Sequence, residues 1–168
     1  MAYLTLASLA ERPGAQELAQ VASDAHQAVV AADLMEATLR GADRSAWTAP
    51  EIALADQAKA RIEQSMGEAD GIIDGYLARR YTLPLASTPS LLGTWARAIV
   101  RYQLHGNRSV DERSDPIARD YRDAIKFLEQ VAAGKFSLGL DDPATGASAP
   151  GEIQIEPGTK VFGRGVLP

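Results

Sequence analysis

Apolar residues recur at helical spacing through most of this chain, and the longest such run organises the rest. Residues 48–81, TAPEIALADQAKARIEQSMGEADGIIDGYLARRY, read as one helix about nine turns long. Thr48 can accept a hydrogen bond from a first-turn N–H, Pro50 needs no donor there, and Glu51 completes a Thr-x-x-Glu capping box. Setting successive residues about 100° apart places Ala55, Ala58, Ile62, Met66, Ala69, Ile73, Tyr76 and Leu77 on one face, the expected core side. Glu63, Asp70 and Asp74 lie a quarter-turn away. Roughly opposite the core stand Gly71 and Gly75, with Gly67 beside them and Gln64, Glu68, Ile72 and Arg79 around them. Each interior glycine costs about 1 kcal/mol relative to alanine, so the three cost roughly 3 kcal/mol unless something packs on the bared backbone. Two readings follow: a tolerated run of small residues, or a close approach by another helix, including one from a second copy. The outward Ile72 favours the second.

The remaining pattern is also helical. Thr5 caps a short helix over 6–12 that Pro13-Gly14 stops, and 15–39 reads as alanine-rich helix that can break near Ser23-Asp24. Its stripe of Leu18, Val21, Ala25, Val29, Ala32 and Leu39 is loose. Residues 41–45 form a turn, and Trp47 is placed to staple against Ile52. After Pro84 and Pro89, with Thr88 as cap, 90–105 presents Leu92, Trp95, Ala96, Ile99, Val100 and Tyr102 as a broad apolar face, and Gly106 is the expected left-handed terminator. Residues 107–114 form a polar loop. Asp115-Pro116 then starts a helix to about residue 133, with Ile117, Tyr121, Ala124, Ile125, Leu128 and Val131 inward and Gly134 at its end. Beyond it, residues 141–151 (DDPATGASAPG) form a small-residue linker, Glu152-Ile153-Gln154-Ile155-Glu156 alternates as a short strand, and a Pro157-Gly158 turn leads to KVFGRGVL. The expected fold class is mainly α: a small helical bundle around one long helix, with an extended C-terminal arm containing short β segments. Residues 1–141 form the helical domain and 142–168 a flexible linker and arm.

Composition narrows the chemistry. A chain of 168 residues with 46% apolar side chains supports one compact domain. Without cysteine there is no disulfide scaffold, thiol nucleophile or thiolate metal site. The amino terminus lacks the basic and apolar regions of a signal peptide, and no apolar run reaches about 18 residues, so a soluble protein without membrane contact is expected. With 22 acidic against 17 basic side chains, net charge −5, broad attraction to a polyanion is not expected.

Enzyme signatures are poor: there is no phosphate-binding glycine loop, nucleophile elbow or paired-histidine motif. His26 and His105 read as solvated or structural. Glu63, Asp70 and Asp74 could hold a divalent ion if another segment supplied oxygens, but a solvated stripe, or a seam facing a neighbour's Arg79, Arg80, Arg97 or Arg101, is the commoner use of such a row. Trp95, Tyr102 and Tyr121 fall at core spacing. No catalytic, cofactor-binding or metal-binding residue is expected. The apolar Ile153, Ile155, Val161 and Phe162, with Arg164, suit a tethered arm that docks on another surface by strand addition or pocket filling, because an isolated hairpin is marginal in water.

Four segments, DGIIDGYLARRYTLPL at 70–85, AIVRYQL at 98–104, YRDAIKFL at 121–128 and AGKFSLGL at 133–140, together with the opening MAYLTL, resemble the Mu-like phage and prophage family of small head-tail connector (adaptor) proteins. The resemblance implies a non-enzymatic virion structural protein, made in the bacterial host cytoplasm and placed in the neck between capsid and tail. It implies a homo-oligomeric ring of twelve copies between the portal protein and tail-side neck or tail terminator proteins, with DNA passing through and no sequence-specific binding. On that reading Gly67, Gly71, Ile72, Gly75 and Arg79 form the subunit interface, Glu63, Asp70 and Asp74 line the channel, and the arm with Ile153, Ile155, Val161, Phe162 and Arg164 reaches a partner. The departure from the family is a helical insertion at about 22–47, a decoration or an added subunit contact. Two other classes compete: a helical DNA-binding regulator reading DNA from around Arg97 and Arg101, and a small helical enzyme using Arg97, Arg101, Asp70 and Asp74 around an anionic substrate.

Overall fold

A computed structural model describes residues 2–24, 26–106 and 115–140, and these are mainly α-helical. Residues 107–114 and the linker and arm of 141–168 lie outside the described residues. The helices are α1 (Leu6–Leu9), α2 (Ala15–Ala22), α3 (Ala32–Arg40), α4 (Ala49–Leu77), α5 (Ser90–Leu104) and α6 (Pro116–Ala132). Between α1 and α2 the chain turns at Arg12, whose φ of −151° and ψ of 118° are not helical.

The long helix begins as its sequence dictates. The Glu51 carboxylate accepts hydrogen bonds from the Thr48 backbone N–H at 2.8 Å and from its hydroxyl at 2.7 Å, which holds that carboxyl below its ordinary range. Ala55, Ala58, Ile62, Ala69, Ile73 and Leu77 of α4 are buried, while Met66 and Tyr76 are half-buried. The loop after α2 lies over residues 54–61 of α4, where the alanines permit close approach, and α6 lies beside residues 71–79. The core continues through Leu92, Ile99 and Val100 of α5 and Leu128 and Val131 of α6.

The alanine-rich segment expected over 15–39 is two helices. Ser23 Oγ donates to Ala19 O at 2.6 Å and accepts from Val30 N–H at 3.2 Å, and Asp24 accepts from His26 N–H at 3.1 Å. These polar side chains take over backbone groups that a continuous helix would need. Arg61 fixes the break, donating to Ala22 O at 3.0 Å and to Asp24 at 2.7 Å. The break resets the helical phase, so Val29 is 60% exposed, whereas Leu34 and Met35 of α3 are 1% and 0% exposed. The region read as an insertion therefore supplies part of the core.

Helix ends follow two designs. After α3 and α6 a glycine turns left-handed, Gly41 at φ 65° and Gly134 at φ 74°. Ala42 N–H then bonds Ala37 O at 2.8 Å, and Lys135 N–H bonds Gln130 O at 2.8 Å, satisfying carbonyls of the last turn. Gly106 departs from expectation and does not turn left-handed. α5 ends on His105, whose ring is held elsewhere, and its N-cap is Pro89 rather than Thr88. The carboxyl end of α4 is tied to that of α6 by Arg80, which donates to Phe136 O at 3.1 Å and Val131 O at 3.4 Å.

Because Leu34 is enclosed, Leu34→Ala is expected to destabilise the protein by roughly 2–5 kcal/mol, like Ile62→Ala, as read from urea unfolding midpoints. An unchanged midpoint for Leu34→Ala would show that α3 is dispensable.

Candidate functional site

The glycine column of α4 faces open space. A Cβ built on Gly67, Gly71 or Gly75 would meet nothing within 4 Å, so none is required by packing inside this chain. Gly71 and Gly75 instead form the floor of a groove of about 480 Å³, walled by Ile72, Tyr76 and Arg79 of α4 and Tyr121 and Ile125 of α6. Tyr121 is stacked on Tyr102, with ring centroids 4.2 Å apart and planes 11° apart, which stiffens that wall. Burial pushes the Tyr121 hydroxyl above its ordinary pKa, so it remains a neutral donor. Of the expected interface residues, Gly71, Ile72, Gly75 and Arg79 share this groove, and Gly67 lies one turn before it. A bared helix backbone flanked by two tyrosines is an arrangement that a packed helix or strand can use.

The acidic row is less uniform than its spacing suggested. Glu63 is exposed and pairs with Lys59 at 3.3 Å. Asp70 and Asp74 are half-buried beneath Tyr3: the backbone N–H of Tyr3 donates to Asp70 at 3.2 Å and its hydroxyl donates to Asp74. Burial raises the Asp70 carboxyl above its ordinary value, against the opposing effect of the Tyr3 N–H. Burial, then the bond to Asp74, likewise raises the Tyr3 phenol. Two of the three carboxylates thus hold the amino-terminal segment on α4, and Glu63 alone of the three is exposed, paired with Lys59. Periodicity placed them on one side but could not show what covers that side.

A second concavity, of about 460 Å³, lies between α5 and α6 and is bordered by Arg12 and Pro13. Trp95 and Phe127 form its apolar part, stacked at 5.8 Å with planes 7° apart, and Phe127 remains 40% exposed. Arg97 and Arg101 lie on the α5 wall, Asp120 and Asp123 on the α6 wall. The cleft does not contain Asp70 or Asp74, so the arginine-carboxylate constellation expected for an enzyme is not assembled.

Arg101 is committed within the chain. It grips Glu17 of α2 through two bonds of 2.5 and 2.8 Å, and His105 Nε2 lies 2.9 Å from the same carboxylate. Burial would raise the Glu17 carboxyl, but the hydrogen bonds from Arg101 and His105 outweigh it and hold the group below its ordinary range. His105, with its side chain 8% exposed, is therefore structural. This triad joins positions 84 and 88 residues apart, a pairing that helical spacing cannot reveal. The arm residues Ile153, Ile155, Val161, Phe162 and Arg164 fall outside the described residues.

Comparison with known proteins bears on what these surfaces serve. The family described as Bacteriophage Mu, Gp36 matches residues 3–156. The chain is 37% identical over 127 residues to the Mu-like prophage FluMu protein gp36 of Haemophilus influenzae, a match covering 76% of this chain and 85% of that protein. It is 35% identical over 119 residues to Gene product J of Escherichia phage Mu, covering 70% of this chain and 81% of that one. Among the described residues, no helix is long and apolar enough to cross a membrane.

Two outcomes test the geometry. Gly71→Ala and Gly75→Ala should each stabilise the isolated subunit by up to about 1 kcal/mol in urea unfolding, since the added methyl meets no neighbour. Glu17→Gln should lower the melting temperature at pH 7. Because the folded carboxyl is held below the ordinary glutamate value of 4.5, the stabilisation is fully present above that pH, and the gap between variant and wild type should close as pH falls below it.

Proposed function

We propose that this chain, which belongs to the bacteriophage Mu Gp36 family, is a structural connector of the virion neck. Copies close into a ring between the portal protein and the tail-side neck or tail terminator proteins, and DNA passes through the centre without sequence-specific binding. The observation that carries this reading is the glycine column, which opens onto a groove that nothing among the described residues fills. Three helix glycines forgo roughly 3 kcal/mol relative to alanine, and a helix or strand laid against them recovers part of that through close backbone contact. A groove on one side of the subunit, filled by a different element of the next, is a head-to-tail contact, and such contacts close into rings when the rotation permits.

The charge distribution supports the same reading. A channel through which DNA slides must not hold phosphates tightly, because each lysine or arginine that neutralises a phosphate adds to affinity. The chain carries net charge −5, and of the expected channel-lining residues Glu63 is exposed beside Lys59, while Asp70 and Asp74 are taken up by Tyr3, so the reading rests on the low overall positive charge rather than on an acidic row. Several arginines are consumed internally, Arg61 by Asp24, Arg80 by backbone carbonyls and Arg101 by Glu17, which also weakens the DNA-binding-regulator alternative around Arg97 and Arg101.

Electron microscopy of particles from the phage or induced prophage should show this chain as a closed ring around the DNA axis at the neck; particles without it there would overturn the assignment. Gly71→Leu should give a folded subunit, by circular dichroism, that fails to enter particles and leaves heads without tails. Normal tailed particles would show that the glycine groove is not an interface.

A further inference from the structure

The cleft between α5 and α6 carries features that the groove on α4 does not. Arg97 lies half-buried on its wall, and its Nε is shielded from solvent without a hydrogen-bond partner. No ion pair among the described residues reaches that guanidinium, whereas Arg101 one turn later is closed on Glu17. A buried arginine N–H left unmet is unfavourable, and a carboxylate is the acceptor that satisfies it best, through two parallel bonds. Beside it, Phe127 offers an exposed ring already backed by Trp95. The cleft therefore asks for a carboxylate and an aliphatic group presented together.

We propose that this cleft receives residues 152–156 of a second copy of the chain, with a glutamate on Arg97 and an isoleucine on the Trp95–Phe127 stack. In an extended backbone, Glu152, Gln154 and Glu156 project to one side and Ile153 and Ile155 to the other, so one short segment meets both requirements. Asp120 and Asp123 on the opposite wall limit the cleft to one carboxylate at Arg97, with the segment's second glutamate turned out to solvent, and their oxygens can accept from peptide N–H groups. Residues 141–151 separate the end of the described chain from the segment, a span of up to about 40 Å when extended, enough to reach a neighbouring subunit. Phe136 already sits edge-on to both rings of the stack, 6.2 Å from Trp95 and 5.6 Å from Phe127, so the chain's own exit occupies one end of the site. The choice of a second copy as donor rests on the ring reading above. The cleft's demand for a carboxylate does not.

The test uses the full chain. In sedimentation velocity, Arg97→Glu and the paired Glu152→Lys/Glu156→Lys variant should each be less associated than wild type, and an equimolar mixture should form heterodimers from the intact arm of one and the intact cleft of the other. A second measurement covers a chain that is monomeric alone, or an Arg97 variant that misfolds. The acetylated peptide of residues 151–157 is titrated into the Glu152→Lys/Glu156→Lys chain carrying Trp47→Phe, with Trp95 fluorescence as readout. Saturable binding, weakened at least about tenfold by Arg97→Gln, is the expected result. Binding indifferent to Arg97, or no binding, overturns the site. Mixed variants that never pair while the peptide still binds overturn the second copy as donor and assign the segment to its own chain. A neck ring seen by microscopy without peptide binding would sink this site alone, and peptide binding by a chain absent from the neck would sink the connector assignment alone.

Discussion

A helix of 29 residues with glycine on one side depends on complete coverage of the other. The inner stripe of α4 changes character along its length, alanine at 55 and 58 and then Ile62, Ile73 and Leu77, and its neighbours match that change. Where the stripe is alanine, the α2–α3 loop comes close enough for Arg61 to hold its backbone. Where the stripe is branched aliphatic, α6 packs alongside and α5 contributes Leu92, Ile99 and Val100 to the same core. Remove the coverage at either end and the other face has no means of compensating, because exposed glycines contribute backbone entropy to the unfolded chain and no contacts to the folded one.

Cationic side chains have been allotted by position. Arg61 sits over the break after α2, Arg80 over the end of α6 and Arg101 between α5 and α2, each satisfying carbonyls or a carboxylate that would otherwise face a partly buried environment. Arginine suits this use because its planar fork reaches two acceptors at once while its stem packs on apolar surface. Arg79 and Arg97 are used differently: they line the groove on α4 and the cleft between α5 and α6.

Much of this was legible in the sequence for a simple reason: single-helix periodicity is a local property. The start of α4, its buried face, the glycine column and the left-handed Gly134 all depend on residues within a few positions of one another. The errors lay where distant residues decide. Ser23 and Asp24 break the alanine-rich segment because Arg61 is there to receive the break, and the phase of α3 follows from it. Asp70 and Asp74 looked like a solvated row because nothing in their own helix announces Tyr3. Gly106 follows the end of α5 without turning left-handed, and the His105 before it is bound to Glu17, far away in the chain. The groove shared by Ile72, Gly75, Tyr121 and Ile125 was half visible, since α4 named its own contribution and only the fold could name that of α6.

Tyr3 has a further consequence for how the molecule comes into being. Both its backbone N–H and its hydroxyl are satisfied by carboxylates 67 and 71 positions later, so Tyr3 lacks these two partners until those positions exist outside the ribosome. At about 5–20 residues per second, that interval is on the order of several seconds to a dozen. Throughout it, Tyr3 waits for the two side chains that fasten it to α4, so that contact is seated well after its first member is made.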